Sequence, residues 1–230
     1  MDCVVAIDGP VAVGKSSVAR RVAAALGIRH INTGAMYRAV ALKLMRLRGD
    51  DPNVDEATMV DIARNARIDL PREGGVLLDG EDVSDAIRDE QVSNFTAVVA
   101  DSAKVRDILV EHQRRLGADE PSVLEGRDIG TVVFKNAALK IFLDASPQVR
   151  VERRVGQLRS KGLPVNREEV FQDLLERDQR DRLRPTGGLK MADDATLIDT
   201  THYEEDFVIE LICALVREHP CFQERLVVRT

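Results

Sequence analysis

Large aromatic side chains are nearly absent from this sequence: it has no tryptophan, two tyrosines and six phenylalanines in 230 residues. Its core therefore has to come from Val, Leu, Ile and Ala, which the 44% hydrophobic content supplies. Cysteine is scarce too. Cys3, Cys213 and Cys221 are odd in number and show no C-x-x-C spacing, which excludes a zinc site and a disulfide framework and leads us to expect small apolar thiols in a reducing compartment. A surplus of positive charge is also missing. The net charge of -6 argues against a general nucleic-acid binder, because neutralising a phosphate backbone needs a basic surface. No segment reaches the roughly 18 uninterrupted apolar residues that cross a bilayer, and the N-terminus lacks a basic stretch followed by an apolar run. These absences predict a cytoplasmic protein with no membrane partner. The length fits one domain of ordinary size, with no internal repeat or low-complexity linker.

What is present begins at residue 9. Gly9-Pro10-Val11-Ala12-Val13-Gly14-Lys15-Ser16 is a G-x-x-x-x-G-K-S loop, directly after the apolar run Cys3 to Ile7. In such a loop the glycines let successive backbone N–H groups turn inward onto phosphate oxygens. The lysine reaches the β- and γ-phosphates, and the serine hydroxyl ligates Mg²⁺. After Lys15, the residues Val18, Val22, Ala25 and Leu26 recur at the spacing of one buried helix face. The loop thus opens a helix whose N-terminal partial charge favours an anion. This context predicts binding of a nucleoside triphosphate, with Gly9 to Ser16 and the following Ser17 as its site and Ser16 as the metal ligand.

Further short apolar runs stand at Ile28 to Ile31, Ser122 to Leu124, Leu139 to Leu143 and Ala195 to Ile198, separated by helical patterns. Strands alternating with helices predict a parallel sheet with helices on both faces and ligands at the carboxyl ends of the strands. The segment Ala35 to Arg48 carries Met36, Val40, Leu44 and Leu47 on one face, with Thr33 expected as its N-cap. From Arg67 to Val83 the texture changes: aliphatic residues punctuated by Pro71, Gly74-Gly75 and Gly80 predict three short antiparallel strands. Gln91 to Leu116 reads as helix, interrupted near Asp101-Ser102 and closed by Gly117. Arg150 to Arg184 holds ten Lys/Arg against seven Asp/Glu and breaks at Lys161 to Pro164, as two helices joined by a turn. By charge count alone this pair is a solvated, salt-bridged surface.

Four more clusters accompany the loop: Asn32-Thr33-Gly34-Ala35-Met36-Tyr37-Arg38, Glu125-Gly126-Arg127-Asp128-Ile129-Gly130-Thr131, Arg177-Asp178-Gln179-Arg180-Asp181-Arg182-Leu183-Arg184, and Asp194 to Thr201. With them the sequence closely resembles the bacterial cytidylate kinases, from about Val4 to Leu215. The resemblance implies an α/β fold of the P-loop NTPase type: a parallel five-stranded sheet with helices on both faces, an inserted acceptor-binding subdomain with a small antiparallel sheet, and a short helical lid. We expect a single kinase chain with core segments 1–33, 104–147 and 180–218. The acceptor-binding insert would cover about 34–103, its three-stranded part about 67–84, the lid about 148–179, and a tail 219–230.

The implied activity is transfer of the γ-phosphate of ATP, with Mg²⁺, to CMP or dCMP, and we expect a monomer with small-molecule partners only. Bringing two polyanions together requires cationic donors, a metal ion and exclusion of water. By resemblance, Arg38 and Arg127 hold the acceptor phosphate, each with a planar fork suited to its oxygens. Arg106 and Asp128 meet the cytosine edge, and Thr33 and Tyr37 line the same pocket. Arg177, Asp181 and Arg184 fall within about 60° of one another on a helix. The family uses them for the acceptor's sugar and base and for closing the lid. Arg154 would be a lid cation reaching the transferred group, so that Lys15, Arg127, Arg154 and Arg177 form the catalytic set.

The sequence departs from the family at Asn32, where Asp is usual, and at Val11-Ala12, where a small residue plus Gly is common. It departs again at Ala97, where a serine hydroxyl commonly meets the base, and at Pro185 to Lys190. A regulatory GTPase would need an N/T-K-x-D motif, which does not occur. A same-fold kinase for UMP, AMP or a small metabolite, and a binding module without turnover, stay open at this point.

Overall fold

A computed structural model of the chain describes residues 2–49 and 53–226. The chain divides into two compact units, Met1–Arg29 with Glu120–Thr230, and His30–Asp119. The tail expected at 219–230 is described to Leu226, and 227–230 lie outside the described residues, as do 50–52 of the expected insert. Among the described residues no helix is long and apolar enough to cross a membrane.

The first unit is organised by β1 (Asp2–Asp8), in which Val4, Val5, Ala6 and Ile7 have no solvent exposure. A strand covered on both faces cannot alternate polar with apolar residues, hence the unbroken run. β1 pairs in parallel with β6 (Ser122–Gly126) and with β7 (Ala137–Asp144), and β7 pairs in parallel with β8 (Thr196–Asp199). With β2 (Arg29–Asn32) the sheet has five strands in the order β2-β6-β1-β7-β8. The register sets Ile7 opposite Glu125 and Asp8 opposite Gly126, so the two strands end level and each brings a carboxylate to the carboxyl edge, one residue out of step.

α1 (Lys15–Leu26) and α8 (Glu205–Glu218) bury Val18, Val22 and Leu26 with Val208, Ile212 and Val216 in one cluster with the strands. The short α9 (Pro220–Leu226) adds Phe222 to it, and Cys3 is joined to Cys221 as a disulfide. This corrects the expectation of three free thiols; only Cys213 is free. The two residues lie 218 positions apart, and no local pattern shows that α9 returns to the first strand.

α6 (Pro147–Ser160) and α7 (Arg167–Leu183) form the expected helix pair, capped by Ser146 and Asn166. Their contact is the small cluster Val151, Val155, Val170 and Leu174, against which Val11 and Ala12 of the glycine-rich loop also pack. After β6 the chain makes a π-helical turn, Ile129–Val133, which periodicity did not predict.

In the second unit α2 (Thr33–Arg48) is capped by Asn32, whose side chain accepts from the Ala35 N–H at 3.0 Å. The cap is thus one residue earlier than expected, since Thr33 is already helical. Asn supplies the same acceptor as the family's Asp, which makes that departure structurally neutral. α3 (Glu56–Asn65) follows, then β3 (Ile68–Asp69), β4 (Leu77–Leu78) and β5 (Glu81–Asp82), an antiparallel sheet in that order. The expected long helix is two, α4 (Glu90–Asp101) and α5 (Ala103–Ala118), divided where Ser102 caps α5. Gly117 lies inside α5 instead of closing it.

Gly9 begins the loop where it crosses β7. Its φ is +150°, and a Cβ there would stand 2.1 Å from the Leu143 carbonyl oxygen. That oxygen belongs to a central strand and cannot move aside. Gly9→Ala is therefore expected to cost more than about 3 kcal/mol, lowering Tm by roughly 6 °C or more at this chain length, as thermal unfolding followed by circular dichroism would record.

Candidate active site

The loop wraps the N-terminus of α1. Gly14, with φ +95°, takes the N-cap position, so the backbone turns into the helix through a conformation that glycine adopts without strain. The Lys15 side chain is buried, and its ammonium donates to the Pro10 carbonyl. Burial pushes the Lys15 pKa well below the ordinary lysine value, and the Arg127 charge pushes the same way. Glu125, Asp8 and Asp181, in that order, oppose it. Buried Lys15 and half-buried Arg127 thus share the strand ends with three carboxylates, a gathering of perturbed charges of the kind found at functional sites.

Ser16 Oγ donates to Glu125 Oε2 at 2.6 Å. These are hard oxygen donors at the loop and at the end of the neighbouring strand, the donor type that suits Mg²⁺. Among the described residues no group of three or more His, Cys, Asp or Glu forms a metal cage. The Ser16–Glu125 pair would therefore complete a magnesium shell with phosphate oxygens and water, which suits an ion that keeps several waters. Ser17 is turned differently: its hydroxyl donates to Glu205 on α8 at 2.8 Å, beside the Arg21–Glu205 ion pair.

Asp8 ends β1 fully buried and accepts from the N–H groups of Ile129 at 2.9 Å and Gly130 at 2.8 Å. It fixes the turn that follows Arg127 and Asp128. Burial raises its pKa to about 6 from 3.8; the two backbone hydrogen bonds and Lys15 pull down, while Asp128 pushes up.

Arg127 and Asp181 meet across 54 positions of sequence, Nε to Oδ2 at 2.8 Å. Arg184 NH2 donates to the other oxygen, Oδ1, at 2.9 Å. Burial pushes the Asp181 carboxyl up, but Arg127 and then Arg184 outweigh it and hold it below the ordinary carboxylate range. Asp128 is buried next in sequence to Arg127. Of the two remaining expected lid cations, Arg154 is half-buried on α6 and Arg177 half-buried on α7. In the second unit Thr33 and Tyr37 are buried in the first turns of α2, with the half-buried Arg38 following. The guanidinium of buried Arg106, from the first turn of α5, stands 5.3 Å from the centroid of the Tyr37 ring.

Each expected site residue thus falls into one of two groups. Gly9 to Ser17, Arg127, Asp128, Arg154, Arg177, Asp181 and Arg184 belong to the first unit, and Thr33, Tyr37, Arg38 and Arg106 to the second. Sequence reasoning missed Asp8 and Glu125. Both end a buried apolar strand, and a lone carboxylate at that position was the available signal. It also missed Arg150, Arg153 and Asp178, which sit among many charged neighbours on α6 and α7.

Comparison with known proteins gives a consistent result. The family model for cytidylate kinase matches residues 5–218. The cytidylate kinase of Caldanaerobacter subterraneus subsp. tengcongensis is 44% identical over 215 residues, covering 94% of this chain and 95% of that protein. The cytidylate kinase of a Thermotoga species is 44% identical over 214 residues, covering 93% and 96%. A solved structure of an uncharacterized protein from Eubacterium ventriosum superposes with a TM-score of 0.52 at 11% identity, covering 95% of this chain and 100% of that one, a likeness of fold alone.

Two outcomes are expected from this geometry. Lys15→Met removes a charge that burial disfavours, so Tm should not fall, while turnover of ATP should drop by about 10²–10³; a coupled kinetic assay with parallel melting curves measures both. Asp8 has a folded pKa of about 6 above its ordinary 3.8, so the stability it contributes is full below that lower value and lost as pH rises through about 6. Asp8→Asn has no proton to lose. Its stability relative to the parent protein should rise between those two values, as urea unfolding across that range would show.

Proposed function

The chain belongs to the cytidylate kinase family, and on that premise we propose that it transfers the γ-phosphate of MgATP to CMP or dCMP, yielding ADP and CDP or dCDP. The observation that carries this reading is the placement of Arg127 within electrostatic reach of Lys15, with its Nε held by Asp181. A loop lysine serves one polyphosphate. A second, oriented guanidinium beside it serves another phosphate, and a kinase acting on a nucleoside monophosphate needs both.

In this reading the Gly9 to Ser16 loop cradles the donor phosphates with its backbone N–H groups, and Lys15 neutralises charge on the β- and γ-oxygens. Ser16 and Glu125 would hold Mg²⁺, which would supply Lewis-acid neutralisation of the phosphates. Arg154 and Arg177 are assigned to the transferred group. Arg127, with Arg38, takes the acceptor phosphate; Arg106 and Asp128 take the cytosine edge; Thr33, Tyr37, Asp181 and Arg184 complete the acceptor's contacts. No side chain has to act as a strong base, because the attacking oxygen belongs to an already ionised phosphate.

Asp181 matters for orientation. Its two oxygens are each engaged by a different arginine, and Arg127 NH1 also donates to the Gly126 carbonyl at 3.2 Å, so the guanidinium is held in one direction toward an incoming phosphate. Ala97, half-buried on α4, offers no hydroxyl to a base. Discrimination then rests on Arg106 and Asp128. The same reading makes the protein a cytoplasmic monomer acting on small molecules, in keeping with its negative net charge. A coupled assay with CMP, dCMP, UMP and AMP as competing acceptors tests it: kcat/KM should be highest for CMP or dCMP. A higher value for UMP or AMP would replace the cytosine assignment with a same-fold kinase of different acceptor.

A further inference from the structure

Two arginines on α6 touch the phosphate loop from outside, and neither is among the residues assigned above to the nucleotides. Arg150 NH1 donates to the Val11 carbonyl at 3.1 Å and to Asp178 Oδ2 on α7 at 2.6 Å. Arg150 and Asp178 are each 4% exposed, so this is a buried ion pair with a third partner in the loop. One turn further, Arg153 NH1 donates to the Val13 carbonyl at 3.3 Å and to Thr200 Oγ1 at 2.9 Å, while its NH2 donates to the Thr200 carbonyl at 2.8 Å. Thr200 is itself tied to the end of β7, its N–H donating to the Asp144 carbonyl at 2.8 Å. Each arginine is therefore anchored on a different element, and each holds one loop carbonyl.

A trans peptide points its C=O and the following N–H in opposite directions. Holding the Val11 carbonyl outward aims the Ala12 N–H the other way, and holding the Val13 carbonyl does the same for the Gly14 N–H. Between these two peptides Ala12 has φ 63°, a left-handed conformation that an L-residue leaves when it can. The loop would relax without external restraint. Its side chains add a weaker restraint, Val11 and Ala12 packing on the α6–α7 cluster.

We propose that Arg150, locked by Asp178, and Arg153, locked by Thr200, are positioning residues that hold the phosphate loop in its anion-binding form by fixing the Val11 and Val13 carbonyls. The proposal rests on the reading of the loop as the donor-phosphate site and not on the identity of the acceptor. Its consequence is that the helix pair α6–α7 reports on, and is reported on by, the loop's geometry: breaking the buried pair weakens phosphate binding without removing any group that binds phosphate.

The experiment is direct calorimetric binding of ADP and of inorganic pyrophosphate to the full chain and to three variants, with melting temperatures in parallel. Arg150→Gln combined with Asp178→Asn removes both charges together and so leaves no buried ion unpaired. Arg153→Gln removes the second restraint, and Asp178→Asn alone removes only the anchor. Each is expected to bind ADP and pyrophosphate about tenfold more weakly, by the same factor for the two probes. Should the double variant not fold, Arg153→Gln decides the matter on the same criteria.

Three results would overturn the proposal. Unchanged affinity in a folded variant means that the loop holds itself. A loss for ADP without one for pyrophosphate means that the arginines serve the base. Tighter binding in Asp178→Asn means that a released Arg150 acts on phosphate directly. No acceptor enters these measurements, so an error in the CMP assignment would appear only in the acceptor assay and leave this result standing.

Discussion

The site depends on keeping two like charges together, Lys15 buried and Arg127 half-buried. Lys15 and Arg127 repel one another, and burial raises the cost for the lysine. At an effective dielectric constant near 20, two unit charges several ångströms apart interact by a few kcal/mol, enough to drive one side chain away unless something opposes it. Three carboxylates do so, and the fold delivers each from a different element: Asp8 from β1, Glu125 from β6 and Asp181 from α7. The parallel register accounts for two of them, since adjacent strands ending level bring Ile7 opposite Glu125 and Asp8 opposite Gly126. The third requires α7 to end beside the sheet's carboxyl edge. Much of the first unit can be understood as the scaffold for this arrangement of five charges.

The three carboxylates divide the work by environment. Glu125 accepts from a loop hydroxyl. Asp181 is held ionised by two arginines and orients one of them. Asp8 spends its oxygens on two backbone N–H groups and organises the turn behind Arg127 and Asp128, at a pKa high enough to titrate near neutrality. Groups of one chemical type, brought from two neighbouring strands and a helix, therefore serve a loop hydroxyl, a guanidinium and the main chain.

How much of this was legible in the sequence follows from the range of each interaction. The loop, the strands and most helices were legible because their signals are local: glycine spacing, unbroken apolar runs, a helical stripe. The stripe placed Arg177, Asp181 and Arg184 together on one face, yet it could not show that Asp181 meets Arg127, an interaction spanning 54 positions. The Cys3–Cys221 link was hidden for the same reason, and counting cysteines pointed the wrong way. Charge counting also treated Arg150 and Asp178 as part of a solvated surface. They are buried, because α6 and α7 face each other through so few apolar residues that the ion pair becomes part of their contact. The cap moved from Thr33 to Asn32 by a smaller effect, since both residue types can cap and only the backbone turn decides between them.

The Val11-Ala12 departure in the loop can now be weighed. A left-handed alanine costs about 1–2 kcal/mol, and relative to glycine it recovers about 0.4–1 kcal/mol through a less flexible unfolded chain. A buried methyl contributes up to about 0.8 kcal/mol, and the Ala12 methyl is partly buried against Val151, Val155, Val170 and Leu174. The opposing contributions nearly cancel, so the substitution is close to neutral for stability. Its effect is on mechanics. A glycine there would let the loop adopt its anion-binding form freely, with no side chain to connect it to α6 and α7. Val11 and Ala12 instead pack on the helix pair, beside the Val11 and Val13 backbone carbonyls that Arg150 and Arg153 hold whatever the side chains. The departure from the family pattern thus adds a side-chain contact with α6 and α7 to a loop whose backbone carbonyls α6 already meets.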